Sequence, residues 1–452
     1  MTQGGAAEPS EGDVNLSPHR RKWSESQIDS ATRELLTDDA RYFLHQSLST
    51  PCLNVLTGAK GATLTDLESR TFLDFHGNNV HHAGFGHPKI VAAVREQMER
   101  LPFCPRRYTN EPAIRLARRL VELAPGDLNR VLFAPGGTSA IGIALKLARA
   151  ATGRYKTISL WDSFHGASLD AISIGGEALF RQGMEPLLPG SLHVPPPDPS
   201  TCPFHCGAEC SLKCANFLEY TLAKEGDVGA VIAETVRSTG IFPPPEYWRR
   251  VRAACDRHGA LLILDEIPHG LGRTGKMFTF EHFGIVPDIV VIGKALGGGI
   301  FPLAAVIAKE RLNVFGDKSL GHFTHEKNPV ACAAGLALLD VIEEERLLER
   351  ASVSGAYALE RLRSMHERHP LIGEVRGLGL LLSVELVRDR RSREKATDEA
   401  ERILYLALEQ GLSFKVTMSN ILTLTPPLNI TDAELDRALR IIELCIEQAG
   451  QA

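Results

Sequence analysis

The chain has 452 residues, 44% of them hydrophobic and 23% charged, with a formal net charge of −5. That is enough apolar material for one large domain plus a smaller one, and the mild negative balance leaves no electrostatic footprint for nucleic acid or an anionic membrane. No apolar stretch reaches the length of a membrane span, and an odd count of 9 cysteines fits reduced thiols in a cytoplasmic protein.

Residues 1–22 read as a flexible polar tail that lacks the apolar core of a secretory signal. Residues 23–75 form an N-terminal segment expected to join the smaller domain. Between 76 and 335, short β-branched runs alternate with helical patterns. Residues 130–133 lead through "APGG" into a helix over 140–149; 156–161 precede "DSFHG"; 230–233 precede Glu234; 261–264 precede "DEIPHG"; 289–292 precede "GKALGGG". Runs this apolar are buried on both faces, as in a parallel sheet covered by helices. The expected fold class is α/β, a large domain built on a mostly parallel, doubly wound sheet. From 336 to 452 a long helical stretch over 336–369, short strands around "GLGLLLSVEL" and "ILTLTPPL", and a helix from Asp432 predict a smaller α+β domain.

Polar and ionisable residues cluster just after the strands, at the carboxyl edge where open α/β sheets bind ligands. "APGGTSA" is a glycine turn opening a helix, whose free N–H groups at Gly137 and Thr138 form an anion cup. Asp265 ends a very apolar strand, so its carboxylate needs a cationic partner. Lys294 also ends a strand, and a lysine directed into a buried site has a lowered pKa and can act as nucleophile or base. Taken singly, each reads as a surface ion pair or an ordinary turn. Together they match what pyridoxal 5'-phosphate (PLP) requires: a phosphate cup, a partner for the ring nitrogen, and a Schiff-base lysine.

From "GATLTDLESRTFLDFHGNNVHHAGFGHPKI" to "PPLNITDAELDRAL", and above all in "LLILDEIPHGLGRTGKMFTFEHFGIVPDIVVIGKALGGG", the sequence resembles the class III aminotransferase family of PLP-dependent fold type I enzymes. The resemblance implies a homodimer with active sites at its interface. It implies Lys294 as the Schiff-base lysine and proton shuttle, and Asp265 as the partner of the ring nitrogen. Phe164 would stack on the ring with His165 supporting it, and Ile267 would pack on the opposite face. Gly137 and Thr138 would hold the phosphate, Thr324 would reach the neighbouring subunit's cofactor, and Glu234 would lie at the cofactor edge.

Departures from the family pattern bear on the substrate. Ser139 stands where a glutamate is usual, Gly136 where a serine is, and Pro268 where a glutamine is expected. Many family transaminases grip the substrate carboxylate with an arginine three residues before the paired prolines, which here is Thr423; the glutamate that parks this arginine aligns with Thr239. A keto-acid acceptor normally needs that bidentate grip. Its loss resembles the family's lyases acting on aminoethyl-phospho and aminoethylphosphonate compounds. The expected reaction is ammonia release from a 2-aminoethylphosphonate-type substrate such as (R)-1-hydroxy-2-aminoethylphosphonate, giving phosphonoacetaldehyde. An ω-amino transaminase and a non-catalytic PLP-binding regulator are the alternatives. Arg106 and Arg107, with Lys327 or His325, are candidate cations for the dianionic substrate; a surface loop or dimer contact is the competing reading.

"CPFHCGAECSLKC" spaces Cys202, Cys206, Cys210 and Cys214 four apart. Pro203 and Gly207 oppose a helix through the first two, whereas 209–220 is expected to be helical, with Cys210 and Cys214 on one face. A structural zinc, with His205 as a spare ligand, competes with two short-range disulfides or free thiols.

Overall fold

A computed structural model describes residues 17–46, 52–198, 202–206 and 210–450. Two compact units are present: one takes Met1–Gly77, Ala83–His87 and Glu349–Ala452, the other Asn78–His82 and Pro88–Leu348. Of the expected tail, residues 1–16 lie outside the described residues. At its end Ser17 Oγ accepts from Arg20 N at 3.0 Å and Pro18 takes the first helical position, so Pro18–Gln27 is a helix.

In the smaller unit β1 (Leu56–Lys60), β2 (Thr63–Asp66) and β3 (Thr71–Asp74) form an antiparallel meander.

The larger unit is built on seven strands: β4 (Leu128–Ala134), β5 (Lys156–Leu160), β6 (Ser191–Val194), β7 (Val228–Glu234), β8 (Leu261–Asp265), β9 (Ile289–Ile292) and β10 (Ala304–Lys309). Their order is β4-β10-β9-β8-β7-β5-β6, and β10 runs antiparallel to both its neighbours while the other pairings are parallel. β7, β8 and β9 are buried at every position, as their near-continuous apolar runs require. Helix Gly137–Thr152 crosses this sheet, packing Ile141, Ala144 and Ala148 with Ile263, Val291 and Val306 in one apolar cluster.

Helix Pro329–Glu344 also belongs to the larger unit. Residues 336–369 read as one helical stretch of the smaller domain, but Arg346 takes a φ of +54° and breaks it before helix Leu347–Arg368. The chain then returns to the smaller unit with β11 (Ile372–Leu378), β12 (Leu381–Asp389), β13 (Glu394–Lys395), β14 (Leu412–Ser413), β15 (Lys415–Thr417) and β16 (Ile421–Leu424). β14 lies parallel beside β3, and the order β11-β12-β16-β15 makes a second sheet.

Candidate active site

The carboxyl ends of β4, β7, β8 and β9 bring the expected residues together in the larger unit. After β4 the chain turns through Gly136 into helix Gly137–Thr152, whose N-terminus carries no side-chain cap. Its first N–H groups are therefore left for an external acceptor. A methyl group on Gly136 would meet nothing within 4 Å, whereas one on Gly137 would approach Ile267 Cδ1 to 2.9 Å. Ile267 thus packs against the glycine turn, and it fills the same role at Gly293, where a Cβ would meet its Cγ2 at 3.3 Å.

Asp265 closes β8 and is 2% exposed. Its Oδ1 accepts from the Ile267 N–H at 3.0 Å, and His165 Nδ1 lies 2.8 Å from its Oδ2. The carboxylate is fixed at both oxygens, yet each retains lone-pair capacity for a further donor. His165 Nε2 is buried with no hydrogen-bond partner among the described residues.

Glu234 closes β7, 6% exposed, and accepts from the backbone N–H of Phe164. Burial pushes its carboxyl above the usual range; Arg237 and His165 oppose that, and Asp265 adds to it. Arg237, 7% exposed, brings its Nε to 3.9 Å from Glu234 Oε2 and donates through Nη2 to the Asp162 carbonyl. Sequence reasoning did not single it out, because "VRSTG" carries no pattern that separates a buried arginine from a surface one. Phe164 is 39% exposed and tilts against Phe180 with ring centroids 4.6 Å apart.

Lys294 follows β9 with a φ of +48°, an uncommon conformation for a residue with a side chain. Burial pulls its ammonium below the ordinary lysine value, while Asp265 and Glu234 act the other way. It lines a cavity of about 340 Å³ together with Gly136, Gly137, Val80, Phe301 and Leu303. The apolar liners escaped the sequence reading because "IFPL" is indistinguishable from core.

The residues fit PLP on their own geometry. An uncapped helix N-terminus opens to the cavity at Gly136, a depressed lysine lies on its wall, and the anchored, buried carboxylate of Asp265 acts on that lysine. Gly166, at φ +124°, lets the backbone approach Thr138, since a Cβ there would sit on the Thr138 hydroxyl.

The class III aminotransferase family model matches residues 45–446. The chain belongs to the class III aminotransferase family. The (R)-1-hydroxy-2-aminoethylphosphonate ammonia-lyase of Vibrio splendidus is 51% identical over 97% of this chain and 95% of that protein. A leucine/methionine racemase from Thermococcus litoralis is 39% identical over 91% of this chain and 95% of its own length. An (S)-enantioselective omega-transaminase from Thermomicrobium roseum superposes with a TM-score of 0.86 at 33% identity, covering 94% of this chain and all (100%) of its own. An amine transaminase from an uncultivated Pseudomonas, solved in its PLP-bound form, gives 0.85 at 32% identity, covering 90% of this chain and 99% of its own. PLP is the cofactor of this family's enzymes and of this chain, a small-molecule amine is its substrate class, and the α/β fold type I expectation holds.

The candidate substrate cations sit elsewhere in the larger unit. Arg106 Nε lies 3.2 Å from Glu326 Oε1, which ties "CPRRYTN" to "THEKNP", and Asn110 Nδ2 donates to the Lys327 carbonyl at 3.0 Å. Glu326 is buried, while Thr324, His325, Lys327, Arg106 and Arg107 are exposed. None of these lines the Lys294 cavity. Thr423 is 4% exposed on β16 and shares a hydrogen bond of 2.8 Å with Thr417 Oγ1; Thr239, 6% exposed, leaves its hydroxyl unpaired among the described residues.

The cysteines fall differently from expectation. Of the helix expected over 209–220, residue 209 lies outside the described residues, and the helix begins at Lys213 because Leu212 takes a φ of +56°. Only Cys214 of the four is helical, so Cys210 shares no helix face with it. None of the 9 cysteines is joined in a disulfide.

Proposed function

We propose that this chain is an ammonia-lyase acting on a 2-aminoethylphosphonate-type amine such as (R)-1-hydroxy-2-aminoethylphosphonate, giving phosphonoacetaldehyde and ammonia. The observation that carries this reading is the 51% identity, over 97% of the chain, to the Vibrio splendidus lyase. The neutral Thr423 and Thr239 support it, since neither offers the cation or counter-ion that a keto-acid carboxylate would need.

PLP, when bound, supplies an electron sink that acidifies the C–H bond beside the substrate nitrogen. The chain's residues do the rest. The Gly137 and Thr138 turn would receive the phosphate. Asp265, held by His165 and the Ile267 N–H, would hold a proton on the ring nitrogen. Ile267 and Phe164 would pack against the ring. Lys294 Nζ would hold the cofactor and would serve as the base for the proton on the amine-bearing carbon. Its depressed pKa keeps a larger share of the amine unprotonated for that step. Hydroxide then leaves the carbon beside phosphorus, water re-enters as the nitrogen departs, and no second substrate is consumed.

Lys294 alone is charged among the residues lining the cavity, so the phosphonate's cations come from outside it. In this reading they come from the exposed Arg106, Arg107 and Lys327 in a homodimer, with Thr324 reaching the partner's cofactor. The joined "CPRRYTN" and "THEKNP" segments support this placement. A reducing cytoplasm suits the free cysteines, and among the described residues no helix is long and apolar enough to cross a membrane.

The transaminase likeness of the solved structures favours a second reading, transfer to a keto acid. Purified protein is incubated with the hydroxylated aminoethylphosphonate, with and without pyruvate. Ammonia and aldehyde without pyruvate support the lyase; product that requires pyruvate, with alanine in equal amount, establishes the transaminase instead.

A further inference from the structure

The loop over 195–212, between β6 and helix Lys213–Glu225, plays no part in the chemistry above. Of it, residues 195–198, 202–206 and 210–212 are described, and they carry three of the four cysteines. Cys202, Cys206, Cys210 and Cys214 line one cavity of about 10 Å³, together with Asp198, Pro244 and two other prolines. That volume admits about one water-sized occupant. The four thiols are the soft ligands of that lining, which also holds the carboxylate of Asp198, 6% exposed.

We propose that Cys202, Cys206, Cys210 and Cys214 bind one zinc ion, a structural site separate from the PLP centre. Four soft sulfur ligands in a closed, tetrahedral set select zinc. The loop is already tied to the helix that follows it. Phe204 meets Phe217 of the following helix at 5.9 Å between ring centroids, and Cys214 sits in that helix's first turn, 4% exposed. Among the described residues, the set of possible ligand atoms that all lie within 4.8 Å of one another is His369, Glu443 and Glu447. The four sulfurs therefore stand wider apart than the roughly 4 Å of a tetrahedral zinc–thiolate centre, and the ion draws them in. Closing the loop this way removes chain entropy from the unfolded state and anchors the connection into β7, which carries Glu234.

The test uses the untagged full chain, purified in reducing buffer without chelator, with metal measured by mass spectrometry. The expected result is about one zinc per chain, with all four thiols shielded from alkylation until the ion is stripped. Replacing zinc with cobalt should produce the sulfur-to-metal charge-transfer absorption of four thiolates. Cys206→Ser with Cys210→Ser should reduce zinc to background while the PLP absorbance is retained. If that double variant fails to fold, the wild-type stoichiometry, alkylation pattern and cobalt spectrum decide. Protein that is metal-free with four readily alkylated thiols overturns the proposal. So do disulfides among the four, iron in place of zinc, or zinc content unchanged in the double variant.

Discussion

Glu266, immediately after Asp265, sets two effects against each other. It is wholly buried (0% exposed), and burial pushes its carboxyl from the ordinary 4.5 up to about 7. Against that, its Oε1 accepts from Thr235 Oγ1 and the Phe280 N–H, both at 2.7 Å, and its Oε2 from the Thr279 N–H at 2.6 Å. Burial favours the acid and the three donors favour the carboxylate. A carboxyl raised in the fold gives stability that is complete below the unfolded value and lost as pH rises through the folded one. Here the window runs from 4.5 to about 7, and a rise of that size is worth about 3 kcal/mol. Glu266→Gln cannot titrate. Its amide oxygen can replace Oε1, but its NH₂ then faces the Thr279 N–H, donor against donor, at a cost of about 1–3 kcal/mol. The variant should therefore be less stable than wild type near about pH 5, and the gap should close or reverse by about pH 8. Urea midpoints of the two proteins across that range measure it, with Trp248 as a local reporter because its Nε1 donates to the Thr235 carbonyl at 2.8 Å. Taking the difference between variants cancels other titrating groups that do not contact Glu266. A gap that stays constant from about pH 5 to about pH 8 would refute the reasoning and show that the donors hold Glu266 ionised throughout.

Three further outcomes follow from single contacts. Lys294→Ala should lower ammonia release by at least about 10³-fold and shift the absorbance of bound PLP; near-normal turnover would remove Lys294 from the chemistry. Gly166→Ala drives a methyl group into the Thr138 hydroxyl at φ +124°, so PLP affinity should fall about tenfold, for a strain of about 1–3 kcal/mol, as read by fluorescence titration. Asp288 is 1% exposed, pairs with Arg252 at 2.7 Å and Arg311 at 2.5 Å, and accepts from the Leu262 N–H at 2.8 Å. Asp288→Ala should therefore cost about 3–5 kcal/mol of stability in urea unfolding, and a loss under about 1 kcal/mol would show the cluster to be solvated.

What the sequence made legible was whatever leaves a local signature. Apolar runs ending in Glu234, Asp265 and before Lys294 are strands buried on both faces, and their ends carry the site. Strand direction leaves no such mark: "AAVIAK" of β10 is as apolar as its parallel neighbours. Its reversal follows from the connection over 293–303, which is too short to hold a crossover helix and must turn back. The four-residue cysteine period was visible but misled about shape, because Leu212 delays the helix and only the fold brings the four residues to the wall of one cavity. The substrate-side reading gains most from the coordinates. In sequence, Thr423 is merely a missing arginine. In the fold it is a central position of β16, paired in register with Ser383 on β12 and Lys415 on β15, and its hydroxyl is spent on Thr417. An arginine placed there would displace that hydrogen bond and bury an unpaired charge in the smaller unit. The neutral pair is thus built into the packing of the second sheet. A single reversion at Thr423 should cost stability without restoring a carboxylate grip, because the position would first need its neighbours rebuilt.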